Sequence, residues 1–312
     1  MVPKDMSDTK NIQLCLGPVL FNWPAEQWRD FYFRIADEAP VETVIVGEVV
    51  CSKRTPFFED HIPAVIERLA AAGKNVLLGS LILVSSVRER RLSASLAATE
   101  GFCVEVNDLT CLATLAGKPH AIGPSVNIYN EESAAFHVRQ GANRLSLPPE
   151  LPLLSVAAIA AALPDIPVEV FAFGRVPLAI SARCYHARVH KLAKDNCRFV
   201  CDRDPDGLTV KTLDGDDFLT VNGVQTMSHT CANLLHDAED LAKAGIGSLR
   251  LSPQHCDMVA VAQTFRDVLD RRIDAGEGSG RLAALYPGVP FANGFLRGAA
   301  GFTYSAREKS SA

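Results

Sequence analysis

Three cysteines, Cys184, Cys197 and Cys201, fall within one polar stretch, SARCYHARVHKLAKDNCRFVC, at residues 181–201. Free cysteine usually behaves as a small apolar residue and sits in apolar surroundings. Three of them among lysines, arginines and histidines point instead to thiolate ligation. Three thiolates are one short of the set that closes a tetrahedral zinc site or an iron–sulfur cluster. Cys197 and Cys201 taken alone, four residues apart, would need no more than a shared helical face. Cys184 in the same segment is what turns the spacing toward a metal.

The fourth ligand depends on the elements that carry the other three. Eight short apolar runs recur along the chain: IQLCLGPVL, ETVIVGEVV, NVLLGSLIL, FCVEVND, HAIGPSVNIY, NRLSL, VEVFAFG and SLRLS. Several are continuous rather than alternating, as strands buried on both faces are. Helix-like stretches lie between them, among them AEQWRDFYFRIADEA, HIPAVIERLAAAG, SVRERRLSASLAAT and SVAAIAAAL. EDLAKAG ends in Gly before the last strand, a helix stop. Eight strand–helix repeats with right-handed crossovers predict a closed (β/α)8, TIM-like barrel. An open dinucleotide-binding sheet is the competitor, but no GxGxxG follows the first strand. The barrel is expected to span 11–300 as one domain, with flexible tails at 1–10 and 301–312. The repeat breaks once, after strand seven, where residues 181–222 form an insertion. It holds the cysteines, the turn DPDG and a small hairpin made by VKTL and DFLTV around LDGDD.

In a barrel, strands seven, eight, one and two follow one another around the ring, so a long loop after strand seven can reach the mouth above strand two. VGEVVCSKR places Cys51 at the C-terminal end of strand two. The expected ligand set is therefore Cys51, Cys184, Cys197 and Cys201. Zinc ribbons draw ligands in CxxC pairs, which are absent here, whereas irregular spacing is compatible with a [4Fe–4S] cluster; spacing alone leaves both metals open. The other five cysteines have plainer readings: Cys15 and Cys103 in strands, and Cys111, Cys231 and Cys256 in helix or loop packing.

GEVVCSKR, SARC followed by two further cysteines, NGVQTMS and LRLSPQ together resemble the U32 peptidase-like family. Within it the resemblance is to its branch in oxygen-independent ubiquinone biosynthesis, and it runs from LGPVLFNWP near residue 16 to LSPQ at 251. VEVFAFGRVPLAISARC matches the family's signature segment. The resemblance implies a [4Fe–4S] cluster on Cys51, Cys184, Cys197 and Cys201. It also implies a heterodimer with a UbiU-like sister subunit and a lipid-binding accessory protein. The complex would hydroxylate ubiquinone precursors without oxygen, with prephenate as source of the hydroxyl group. Two alternatives come with the family: a prephenate-linked RNA base hydroxylation factor and a U32-type peptidase. The segment after Cys201, DRDPDGLTVKTLDGDD, carries more acid than the family pattern suggests.

A net charge of −5 with no basic tail counts against nucleic acid as a direct partner, which usually needs a basic patch. HExxH and a nucleophile elbow are both missing, which counts against proteolysis. The N-terminus lacks the apolar core of a signal peptide and no apolar run is long enough to span a bilayer, so a cytoplasmic location is expected. Lys53, Arg54, Arg183 and Arg198 flank the cysteines and could offset thiolate charge. His186 and His190 could also ligate metal, although four cysteines suffice without them. Glu48, Asn107, Asp108, Asn127, Asn130 and Gln254 fall at strand ends around the predicted mouth. Arg175 is a candidate clamp for a carboxylate-rich donor. Phe21, Trp23, Phe57 and Phe58 could face a partner or a prenyl tail, or pack in the core. His229 and His255 read as hydrogen-bonded loop residues.

Overall fold

A computed structural model describes residues 9–306. Seven parallel strands follow one another around a ring: β1 (Gln13–Leu16), β2 (Thr43–Val46), β3 (Asn75–Gly79), β4 (Cys103–Val106), β5 (His120–Ile122), β6 (Ala142–Ser146) and β7 (Val168–Ile180). Three strands of the excursion come next, β8 (Leu208–Lys211), β9 (Asp217–Asn222) and β10 (Gln225–Asn233), and then β11 (Ser248–Leu251) and β12 (Phe291–Ala292). β11 pairs in parallel with both β7 and β1, so the sheet closes on itself. This is the expected (β/α)8 barrel, and its eight strands fall on the eight apolar runs.

Each strand presents one face to the helices and the other to the barrel interior. Leu14 and Leu16 pack outward in the main core, while Cys15 joins Ile45, Leu77 and Ala121 inside. The interior is not wholly apolar. Glu105 on β4, Arg144 on β6, Glu169 on β7 and Arg250 on β11 form a buried ionic lattice. Arg250 Nε reaches Glu169 at 2.6 Å, and its two terminal nitrogens engage Glu105. Such a lattice holds together because every charge in it is paired, and removing one partner would leave the other buried and uncompensated.

The long helices lie outside the ring. The helix at Ala25–Glu38 buries Trp28, Tyr32 and Ile35 on one stripe. Trp28 stacks on Phe58 at 4.6 Å between centroids. The helix at Val87–Ala97 opens with a capping box made by Ser86 and Glu89. Helices at Ile62–Ala71, Leu109–Leu115, Glu131–Arg139, Leu153–Ala162, Ala238–Lys243, Met258–Leu269 and Ala275–Leu285 lie around the same ring.

β7 is 13 residues long, and its second half leaves the barrel. The departure is at Gly174, whose φ is +122° and where a Cβ would meet Gln254 and Ser252 at 2.8 Å. The pairing with β11 shifts register beside it. β10 returns antiparallel along this arm, with β9 and β8 added beyond it. The hairpin expected around LDGDD is therefore present, and the excursion continues past residue 222 through β10. Of the expected tails, 1–8 and 307–312 lie outside the described residues. Thr9 is buried and its hydroxyl donates to the Leu269 carbonyl at 2.8 Å. Ser305 is tied to Asn293 through its backbone N–H.

Candidate metal centre

The loop after β2 carries Cys51 in a fixed position. Glu48 Oε1 accepts the backbone N–H groups of Val50 and Cys51, each at 2.7 Å. Ser52 donates to Glu89 at 2.9 Å, which ties the loop to the neighbouring helix. Lys53 Nζ donates to the Lys194 carbonyl at 2.7 Å, and so draws the excursion down onto the same loop.

The excursion supplies the other three thiols. Cys184 caps the short helix Tyr185–Val189, its sulfur accepting from Ala187 N–H. Cys197 and Cys201 do not share a helix. Between them Arg198 and Phe199 adopt φ of +50° and +53° and separate two 3-10 turns. Lys191 is also left-handed, so three of the five such non-glycine residues described fall within nine positions. Backbone in this region costs on the order of 1–3 kcal/mol per residue and persists where the surroundings dictate it. Phe199 is braced by Phe57, edge to face at 4.7 Å.

Cys51, Cys184, Cys197 and Cys201 line one small cavity, together with Arg54, His186 and the hairpin glycine Gly223. The structure thus brings the four sequence-expected cysteines together. Arg54 is only 1% exposed and donates to the Leu20 carbonyl at 2.8 Å and to Asn222 Oδ1 at 3.0 Å. Burial opposes its charge, but Glu48 and the thiols of Cys201 and Cys51 outweigh that and hold its pKa above the ordinary value. Burial pushes the Cys51 and Cys184 thiols up, and Arg54 pulls both back. A buried cation beside four thiols suits a centre of net negative charge. Arg183 and Arg198 are exposed instead.

The donor set bears on which group fits. Zinc at about 2.3 Å from four thiolates holds them roughly 3.8 Å apart. Among the described residues, the triad of ligating atoms lying within 4.8 Å of one another is His186, His190 and Asp204, and no three cysteines form one. The all-cysteine donor set of this cavity suits either a zinc ion or an iron–sulfur cluster.

A second cavity, of about 440 Å³, opens at the C-terminal ends of the barrel strands. Glu105, Asn107, Arg250 and Ser252 line it, with Asn127, Tyr129 and Glu150 as further polar groups. Asn107 bonds Ser80 and Glu105. Asp108 and Asn130 cap helices, and Gln254 is buried against the Ser252 and Pro253 carbonyls. Arg175 is not a clamp at this mouth. It binds Asp206 at 3.0 Å and lies over the Tyr286 ring, anchoring the DPDG turn. Phe21, Trp23 and Phe58 are buried, and Phe57 is half exposed.

Sequence reasoning did not single out Asp204, Asp206, Glu169, Arg144 or Arg250. The first two sit in a turn motif read only for its shape. The other three are lone charges in apolar strands, and their period-two placement on the inner face was the available signal.

The sequence matches peptidase family U32 over residues 25–301, a span that takes in every barrel strand after β1 and all four cysteines of the cavity. The chain belongs to the U32 family. Among solved structures, this U32 protein is similar to a putative fructose-1,6-bisphosphate aldolase from Coccidioides immitis, at 11% identity and a TM-score of 0.40 over 88% of this chain and 92% of that one. It is also similar to PbGH5A, a glycoside hydrolase family 5 enzyme from Prevotella bryantii B14, at 10% identity and a TM-score of 0.41 over 92% and 99%. Among the described residues no helix is long and apolar enough to cross a membrane.

Proposed function

We propose that Cys51, Cys184, Cys197 and Cys201 hold a [4Fe–4S] cluster, and that the chain is a UbiV-like subunit of an oxygen-independent hydroxylase acting on ubiquinone precursors. The carrying observation is the convergence of four thiols, one from the loop after β2 and three from the excursion, on a cavity beside buried Arg54. Irregular cysteine spacing without CxxC pairs supports a cluster over a zinc staple. The hydroxylase reading rests on the motifs shared with the ubiquinone branch of the U32 family, with prephenate as hydroxyl donor and a UbiU-like partner beside a lipid-binding protein.

Bound there, the cluster would supply electron transfer, since four thiolates leave no iron open to substrate. The chain's own residues fix the loop geometry. Glu48 orients the Cys51 backbone, Lys53 joins the loop to the excursion, and Arg54 balances thiolate charge. Arg250 at the barrel mouth is fully engaged by Glu105 and Glu169, and Arg175 by Asp206. A dicarboxylate donor would find neither of these cations free, which supports placing the donor on the partner subunit.

A deletion strain grown without oxygen tests this reading. Ubiquinone precursors lacking ring hydroxyls should accumulate, and the wild-type gene should clear them while the Cys197→Ser form does not. Loss of a hydroxylated RNA base with quinone intact would favour the RNA reading, and peptide cleavage by the metal-free chain would favour proteolysis, the activity in the family's name.

A further inference from the structure

The short helix Tyr185–Val189 and the turn beginning at Asp204 face each other beside the cysteine cavity. His186 and His190, four residues apart, fall on one face of the helical turn. Their rings lie 5.9 Å apart, 18° from parallel. Asp204 Oδ2 lies 2.7 Å from His186 Nε2. One ligating atom from each of the three residues falls within 4.8 Å of the other two.

Two ring nitrogens in this group are buried and unpartnered. His186 Nδ1 and His190 Nε2 are shut off from solvent and make no hydrogen bond. A buried polar atom left in this state costs about 1–3 kcal/mol, and native structures rarely keep one without a use. His186 is 1% exposed, so water does not satisfy it from outside.

We propose that His186, His190 and Asp204 form a second, mononuclear site for a divalent transition-metal ion of the zinc or ferrous class. Two imidazoles and one carboxylate are the three-ligand pattern that leaves coordination positions open, and its donors suit Zn²⁺ or Fe²⁺ better than the all-oxygen preference of Ca²⁺ or Mg²⁺. His190 offers Nε2, Asp204 a carboxylate oxygen and His186 a ring nitrogen. His186 also forms part of the cysteine cavity wall, so the ion would sit next to the thiols without drawing on them. The site stands whether the cysteines hold a cluster, zinc or nothing.

Co²⁺ is the probe, added without oxygen to the full-length chain and followed by absorption. Nitrogen and oxygen ligation gives weak visible bands, whereas thiolate ligation adds an intense near-ultraviolet band. The expected result is saturable binding of a single Co²⁺ with weak bands only, displaced by Zn²⁺. His190→Ala and Asp204→Asn should each weaken it at least ~100-fold, since outer-shell changes alone already cost 10–100-fold. The circular dichroism spectrum and the metal content of the cysteine centre should stay at the wild-type value in both, the former reporting folding. Absence of saturable binding, wild-type affinity kept in both variants, or binding only of a Co²⁺ whose thiolate band disappears in Cys197→Ser would overturn the proposal. In that case His186 and Asp204 are a hydrogen-bonded pair and nothing more.

Discussion

Asn22 Nδ2 lies 3.5 Å from Cys201 Sγ, a hydrogen bond across 179 residues of sequence. Asn22 is buried, and it follows β1, so the barrel itself donates to a thiol delivered by the excursion. Hydrogen bonds to cluster sulfurs stabilise the more negative, reduced state and raise the potential. Asn22→Ala should therefore lower the midpoint potential. A net bond of about 1 kcal/mol corresponds to at most about 40 mV for one electron. An anaerobic redox titration showing an unchanged or higher midpoint would contradict this role.

Arg54 is the buried cation of the centre, whereas Arg183 and Arg198 are exposed. Arg54→Met should destabilise the fold by about 3–5 kcal/mol, because Glu48 and the polar groups around it lose their partner. Arg183→Ala should stay within about 0.5 kcal/mol of wild type, as surface changes do. Denaturant unfolding of the two variants checks the contrast, and equal stabilities would refute it.

Glu89 predicts an acid limb of stability. Burial opposes its charge, but hydrogen bonds from Ser85, Ser52 and Ser86 prevail and pull its pKa down to about 2. The folded pKa lies below the unfolded one, so the contribution is fully present above about pH 5 and is lost as pH falls through 2. Its size is at most about 3 kcal/mol. Glu89→Gln should lower stability near neutrality and shrink the difference from wild type at pH 2–3. Parallel stability–pH curves for the two proteins would exclude Glu89 as the source.

The left-handed residue Arg198 gives a prediction of opposite sign. Its side chain is exposed and its φ is +50°. Glycine removes the steric cost of that conformation and adds a smaller entropic one. Arg198→Gly should stabilise the protein by roughly 0.5 kcal/mol with metal content unchanged. A loss of stability on thermal melting would mean that the guanidinium does more than its exposure suggests.

The barrel was legible because buried parallel strands are written as continuous apolar runs. The helices at Ala25–Glu38 and Val87–Ala97 fall on the helix-like stretches AEQWRDFYFRIADEA and SVRERRLSASLAAT. β10 was not seen as a strand, since QTMSHTCAN is mostly small and polar and owes its conformation to pairing with the arm of β7. The same arm explains the misplaced Arg175: it was read at a strand end, but β7 runs on and delivers it to Asp206. The four-cysteine set was legible from composition and ring order together. The triad of His186, His190 and Asp204 was only half visible, because nothing in DPDG marks one aspartate as facing two histidines 14 or more residues earlier.

Metal and sulfide analysis of the anaerobically purified chain, beside its absorption spectrum and those of single Cys→Ser variants, tests the central claim most directly. The account predicts about four irons and four sulfides per chain with a broad visible band. Both should be lost in Cys51→Ser, Cys184→Ser, Cys197→Ser and Cys201→Ser, and kept in Cys111→Ser and Cys231→Ser. Stoichiometric zinc released by those same four substitutions, with no sulfide, would contradict it and turn the centre into a structural staple.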